Sequence, residues 1–304
     1  MPTLFKKEGE AISRQSKIFW KSLVFSSVIS CILIFSVFFT LYVPQKKPDT
    51  ASSELVSSDF DANQSDSFTV VCSLSQNDTA SPYAYFLLGF NGPMGQISVT
   101  RFFPQTVLSQ SNAKKIILSE EFDLKGAKGA VAALNEYFSL DIKRYICFTN
   151  SSLLGFFELF NPITINVPKN LSQVDREKYI YIKIDKGRQH LGGALLIDYI
   201  ACTAWENGSS QILQQSAEAV GQFLSQNHSL FINNAEAEKY ILSKTQTNIS
   251  ALDIEMRRPL ISALFKNEDS ILILAADGEF KNEETEFHLT RQSYNSIRSR
   301  YGVI

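Results

Sequence analysis

Along "KYIYIKI", residues 178–184, apolar and polar positions alternate strictly, placing Ile180, Ile182 and Ile184 on one side. A period of two belongs to a β-strand with one face against a core, so the segment is predicted as a strand. "SFTVVCSL" from Ser67 and "YAYFLLGF" from Tyr83 are rich in aromatic and β-branched residues and are read the same way. The turn cluster "NGPMG" at Asn91–Gly95, followed by "QISVTRFF", predicts a hairpin joining Tyr83–Phe90 to Gln96–Phe103. "RYICF", "ITINVP" and "SILILAAD" complete the strands, the last as a buried one with "TEFHL" pairing beside it.

In "DLKGAKGAVAALNEYFSL" the period changes to that of a helix, with Ala130, Val131, Leu134 and Phe138 on one face. "SSLLGFFELF" is a helix with Ser at its start. "GGALLIDYIACTA" and "SSQILQQSAEAVGQFLSQ" are helices around a polar loop at Trp205–Gly208, and "NAEAEKYILSK", "ALDIEMRRPLISALFK" and "RQSYNSIRSRY" follow as three more. Strands and helices intermix without an internal repeat. The expected fold class is therefore α/β (α+β), a mixed central sheet flanked by helices.

One stretch obeys neither period. From Ser22 to Val43 the chain runs 22 residues without a charge. At about 1.5 Å per residue it reaches roughly 33 Å, enough to cross a bilayer core of about 30 Å. Residues 1–21 carry Lys6, Lys7, Arg14, Lys17 and Lys21 against Glu8 and Glu10, a net of +3. That flank predicts a cytoplasmic tail (1–21), one transmembrane helix (22–43) and everything after it outside the cytoplasm. Residues 44–66, "PQKKPDTASSELVSSDFDANQSD", read as a flexible stalk, and 67–304 as the extracytoplasmic domain.

Chemistry is sparse. The net charge is −2 over 304 residues, so without the basic tail the rest sums to −5, and a nucleic-acid-binding surface is not indicated. Cys72, Cys147 and Cys202 each lie in apolar runs and read as buried thiols rather than a disulfide framework. His190, His228 and His288 are far apart, no Cys or His spacing suggests zinc, and there is no Gly-rich phosphate loop or nucleophile elbow. "KGAKGA" reads as tolerated glycines at a helix start, Arg188 and His190 as solvated loop residues, and Arg257 and Arg258 as the exposed side of a helix. Seven Asn-x-Ser/Thr sites occur in a chain already rich in Asn and Ser. More telling is an absence: the 50 residues between Arg188 and Lys239 hold no lysine or arginine, but do hold five acids.

Taken in order, the segments from about Ser67 onward resemble the extracytoplasmic domain of the LytR–CpsA–Psr (LCP) family. "YAYFLLGFNGPMGQISVTRFFPQT" is similar to a strand–turn–strand of the form S-D-T-x-x-L-V-x-x-N-P followed by S-I-P-R-D-T. "AKGAVAALNEYFSLDIKRYICFTNSSLLGFFELFNPITINVP" resembles the next helix, strand and D-x-[IL]-G-G-V-x-V-x-V-P region. "GRQHLGGALLIDYI" resembles G-x-Q-x-L-[DN]-G-x-x-A-L-x-Y-x-R-x-R, and "QTNISALDI" a T-N-[IL]-[ST] stretch near the end. The resemblance implies transfer of glycopolymers from a polyprenyl-pyrophosphate carrier to peptidoglycan. It also implies an apolar tunnel for the prenyl chain, with arginines, an aspartate and magnesium at the pyrophosphate. Guanidinium forks match phosphate oxygens, and the cation offsets the charge of the transferred group.

The departures are systematic. The family's aspartate falls on Tyr83, the P-R-D on "FFPQT" with Gln105, and the L-[DN]-G acid on Gly192. Its two arginines after the tyrosine fall on Ala201 and Thr203. R-x-x-R-Q-Q falls on "SQILQQ", with Ser210 and Leu213 for arginines and Gln214–Gln215 kept. The stretch without basic residues is thus where the family concentrates its phosphate-binding arginines. Three readings follow. The first is a catalytically inactive binding or regulatory member, with no catalytic residue, metal or cofactor. The second is an active transferase with a rebuilt site that would still use magnesium. The third is a structural partner domain without a ligand. Arg101, Gln105, Lys186, Arg188 and Gln214 are the candidate ligand-binding residues, and the expected partners are the membrane and a polyprenyl lipid or cell-wall glycopolymer.

Topology is directly testable. Protease added to intact protoplasts should digest the large domain and leave a short anchored fragment. Full protection, or a mature chain beginning near residue 45, would contradict an anchored, outward-facing domain.

Overall fold

The computed structural model describes residues 67–108, 115–175, 180–266 and 270–302. The predicted tail (1–21), membrane span (22–43) and stalk (44–66) lie outside the described residues. Among the described residues no helix is long and apolar enough to cross a membrane.

Six strands make the central sheet: β1 (Ser67–Ser75), β2 (Ala84–Asn91), β3 (Gln96–Phe102), β4 (Arg144–Thr149), β9 (Gln246–Thr247) and β10 (Ile271–Ile273). Their order is β10-β3-β2-β1-β4-β9. β2 is antiparallel to both β1 and β3, as the hairpin signal predicts, whereas β4 runs parallel to β1 and β10 parallel to β3. Three two-stranded sheets stand apart: β5 (Ile163–Val167) with β8 (Gly187–Leu191), β6 (Leu171–Asp175) with β7 (Ile180–Ile184), and β11 (Gly278–Lys281) with β12 (Glu286–Leu289).

Nine helices are described: α1 (Leu118–Lys125), α2 (Ala127–Phe138), α3 (Asn150–Phe157), α4 (Gly193–Ala201), α5 (Gly208–Gln226), α6 (His228–Asn233), α7 (Ala235–Lys244), α8 (Ala251–Phe265) and α9 (Arg291–Tyr301). They cover both faces of the sheet because both faces are apolar. On one face Tyr85 meets Phe122 of α1, Phe102 meets Phe138 of α2, and Thr100 meets Tyr301 of α9. The opposite face, with Phe86, Ile146 and Phe148, looks toward α3, α5 and α8. The result is a mixed sheet between two helical layers. Gly89 on β2 permits the α9 contact, since a Cβ there would lie 2.7 Å from the Tyr301 ring.

Several expectations change. The single helix expected from Asp123 is two, broken at Gly126, whose φ of 67° is readily reached only without a Cβ. Thr149, not a serine, caps α3, in a reciprocal pair with Ser152. "GRQHL" is a strand rather than a loop, because it pairs with β5 residue for residue. "TEFHL" pairs with β11 and not beside β10. β10 itself is a short, half-buried edge strand. Trp205 is buried, not part of a polar loop: its indole N–H donates to the Cys202 carbonyl and its ring packs edge-on to Tyr199. β7 matches its pattern, with Ile182 and Ile184 buried and Tyr181 exposed.

Cys72, Cys147 and Cys202 carry free thiols. Burial pushes all three up from the usual thiol range, Cys72 to about 12, so little thiolate forms at neutral pH. Alkylation of the native protein should therefore be slow. After denaturation without reductant all three should label, and a mass two hydrogens lighter that resists labelling at two positions would contradict this.

Candidate functional site

The alternation of β1 puts Phe68, Val70, Cys72 and Leu74 on one face. In register beside them stand Phe90, Leu88 and Phe86 of β2, and Arg144, Ile146 and Phe148 of β4. Between this surface and the helices above it lies a cavity of about 360 Å³, walled by Phe156, Phe223, Phe231 and Phe265. That size is within the range of about 300–1,000 Å³ usual for small-molecule sites. Its walls are braced by aromatic contacts: Phe157 meets Phe223 edge-on at 4.7 Å, and Phe231 stacks on Phe265 at 5.3 Å. Gly155 of α3 lets α7 approach, because a Cβ there would lie 2.3 Å from the Tyr240 hydroxyl.

The two ends of the cavity differ. Leu74, Phe86 and Ile200 close the inner end and are buried. At the outer end Ser67, Arg144, Asp253, Ile254 and Arg257 reach the surface. Charges at this mouth are mostly matched. Lys143 meets Asp141 at 2.8 Å, Arg144 meets Asp253 at 2.5 Å, and Arg258 grips Glu238 at 2.7 Å. Asp253 also caps α8 reciprocally with Ser250, and the Arg144 hydrogen bond, with Ser250, holds its carboxyl down at about 2. Arg257 is different. Its guanidinium lies 5.4 Å over the Phe68 ring, which itself stacks on Phe90 at 4.5 Å, and among the described residues it has no carboxylate partner. Leu252 and Met256, on the same helix, are 66% and 60% exposed.

Arg101 sits at the other end of the sheet, on the cavity face of β3, and is 2% exposed. Its Nη1 donates to the Ile212 carbonyl at 3.0 Å and to the Ser216 hydroxyl, while Nε has no partner. Burial pulls this group down to about 10. The Tyr83 hydroxyl donates to Asn150 Oδ1 at 2.9 Å, and burial pushes it up. Burial likewise raises the carboxyl of half-buried Asp198 on α4, a residue that no sequence motif singled out. Among the described residues no three His, Cys, Asp or Glu side chains gather as a metal site.

The candidate residues are scattered. Gln105 lies just past β3, its carbonyl accepting from the Phe287 amide. Lys186 and Arg188 are exposed near the start of β8, the Lys186 amide donating to Asn170 Oδ1. Gln214 is on the solvent side of α5, bonded to Glu218 at 2.8 Å. Ile212 and Ser216, four residues apart, face Arg101, so Gln214 between them faces away. Among the described residues no hydrogen bond or ion pair joins Gln105, Lys186, Arg188 or Gln214 to Arg101. Arg257 and Arg258, expected on an exposed helix side, are half-buried: Arg257 lines the cavity, and Arg258 pairs with Glu238, which lines it. The signal was present in the spacing, since Asp253 and Arg257 are four apart and share a face.

A mixed sheet between two helical layers, with an apolar cavity on one sheet face, defines the class as an α/β domain with an internal apolar cavity. Solved structures agree on the fold. A transcription regulator described as such from Eubacterium siraeum matches with a TM-score of 0.72 at 19% identity, covering 85% of this chain and all of that one. Bacillus subtilis TagV matches with a TM-score of 0.57 at 11% identity, over 77% of this chain and 95% of its own. TagT bound to LI-WTA matches with a TM-score of 0.59 at 13% identity, over 79% and 91%. No curated protein matches the chain. The model of the LytR_cpsA_psr family matches residues 93–299, and the chain belongs to that family.

Arg101 offers a structural test. Deleting so large a buried side chain in Arg101→Ala should cost about 3 kcal/mol through the cavity left behind. Arg101→Met keeps the volume and removes a charge without a charged partner, so stability should change by less than about 1 kcal/mol or rise. Urea unfolding of the two variants measures both. Equal, large losses would show that the charge itself holds β3 to α5.

Proposed function

We propose that this protein is a membrane-anchored, extracytoplasmic member of the family that binds rather than transfers. Membership links it to the handling of cell-wall glycopolymers. The observation that supports the binding reading is the open apolar cavity, taken together with the resemblance, which puts the family's acids and arginines on residues of other types. Tyr83 falls where the resemblance puts the aspartate, and its hydroxyl donates to Asn150 Oδ1. Gly192, Ala201, Thr203, Ser210 and Leu213 supply no carboxylate or guanidinium where the resemblance puts them. Arg101 is turned inward onto α5. Recognition of a pyrophosphate needs several charge-assisted hydrogen bonds, each contributing roughly 1.5–3 kcal/mol, and magnesium needs carboxylate ligands. The cavity itself keeps the hydrophobic contribution of about 25 cal/mol per Å² of apolar surface covered. That suffices for an apolar chain of a lipid or lipid-linked glycopolymer.

Native mass spectrometry of the full-length chain extracted from its own membrane tests this. A bound lipid, together with no magnesium-dependent turnover of a polyprenyl-pyrophosphate glycan, is the expected result. Turnover above a no-enzyme control would establish a rebuilt transferase site. An empty protein would favour the structural partner domain.

A further inference from the structure

Among the described residues, one cation at the mouth of the cavity has no carboxylate partner. Lys143, Arg144 and Arg258 are each neutralised by a carboxylate 2.5–2.8 Å away, whereas Arg257 rests only on the Phe68 ring. It lines the cavity from α8, half-buried, where the apolar walls give way to water. A cation over an aromatic face keeps its donors free for an anion in the plane of the guanidinium. Among the described residues no charged side chain lines the inner end: Leu74, Phe86 and Ile200 close it, and Arg101, across the ladder from Phe86, has its Nη1 on α5 and does not line the cavity. An amphiphile therefore fits in only one direction, tail inward and head at Arg257. β1 spans about 26 Å at roughly 3.3 Å per residue. The mouth, beside Ser67, is thus at the opposite end of that strand from Tyr83 and Arg101.

From this we infer that the cavity takes an amphiphile with one apolar chain and a single compact anionic head, a carboxylate or a phosphate monoester, seated on the Arg257 guanidinium at the outer mouth. The inference rests on the binding reading above and adds the class and orientation of the ligand. One guanidinium can grip one such head bidentately. At the half-buried mouth the head keeps part of its hydration and is paired with the guanidinium, so no charge is buried without compensation. A diphosphate carrying a glycan would need further cations, and the others at this mouth are already held by Asp141, Asp253 and Glu238.

The test uses the full-length chain in amphipol, with displacement of a fluorescent fatty acid by sodium oleate, oleyl phosphate and oleyl alcohol. The wild-type protein should bind at least one of the two anions about tenfold more tightly than the alcohol, as a charge-assisted bond implies. Arg257→Gln should remove that preference and leave the alcohol unchanged, while Arg257→Lys should restore part of it. Whichever anion binds more tightly identifies the head. Val220→Trp, which fills the cavity from α5, should weaken all three probes. If Arg257→Gln weakens acid and alcohol alike, or the wild type shows no preference for an anion, the seat at Arg257 is wrong and the cavity reading stands. If no probe displaces the fluorophore, or Val220→Trp has no effect, the cavity reading fails and this inference fails with it.

Discussion

A sheet that is apolar on both faces must be covered on both, and the rest of this molecule follows from that constraint. The register of β1 with β2 and β4 sets two rows of side chains on opposite sides. On one side Tyr85, Phe102 and Phe138 interlock with α1, α2 and α9 into a filled core. On the other, Phe148 meets Phe156 of α3 at 5.4 Å and Arg101 bonds to α5, but the rings of Phe156, Phe157, Phe223 and Phe231 pack on one another and a space remains between them and the sheet. Covering that face removes it from water without filling it, which leaves the cavity.

Polar groups have been placed to respect this division. Arg101, the largest fully buried side chain, satisfies Nη1 on α5 and leaves Nε bare. It ties β3 to α5 across the closed end of the domain, and its lowered affinity for a proton reflects the cost of that burial. At the open end, matched ion pairs brace α7 and α8 against β4 while remaining partly exposed. Such pairs contribute modestly to stability, but they fix which side chains border the mouth. The same domain therefore has a sealed polar end and an accessible one, and a ligand would be recognised at the accessible one.

Much of the architecture was legible in the order of periods along the chain. The hairpin at "NGPMG", the strand Ile180–Ile184 and the long helix of "SSQILQQSAEAVGQFLSQ" stand where the pattern puts them. The family, too, was readable from the order of short motifs, none of which is specific alone. What failed was local. β8 reads as a loop because its sequence, "GRQHL", has one apolar residue, and only pairing with β5 makes it a strand. α6 was missed because six residues are too few to show a helical period.

The sequence by itself determined that strands and helices alternate, which faces of each are apolar, and that the segment from Gln189 to Glu238 lacks basic residues. These are properties of neighbours along the chain, and local periodicity records them. Only the tertiary structure decided that Arg101 points inward while Arg257, some 150 residues later, borders the cavity. It also decided which cations at the mouth find carboxylates. Asp253 reaches Arg144 across 109 positions of sequence, and Arg258 reaches Glu238 across 20. Charge pairing depends on which strand lies beside which, and no local pattern encodes that.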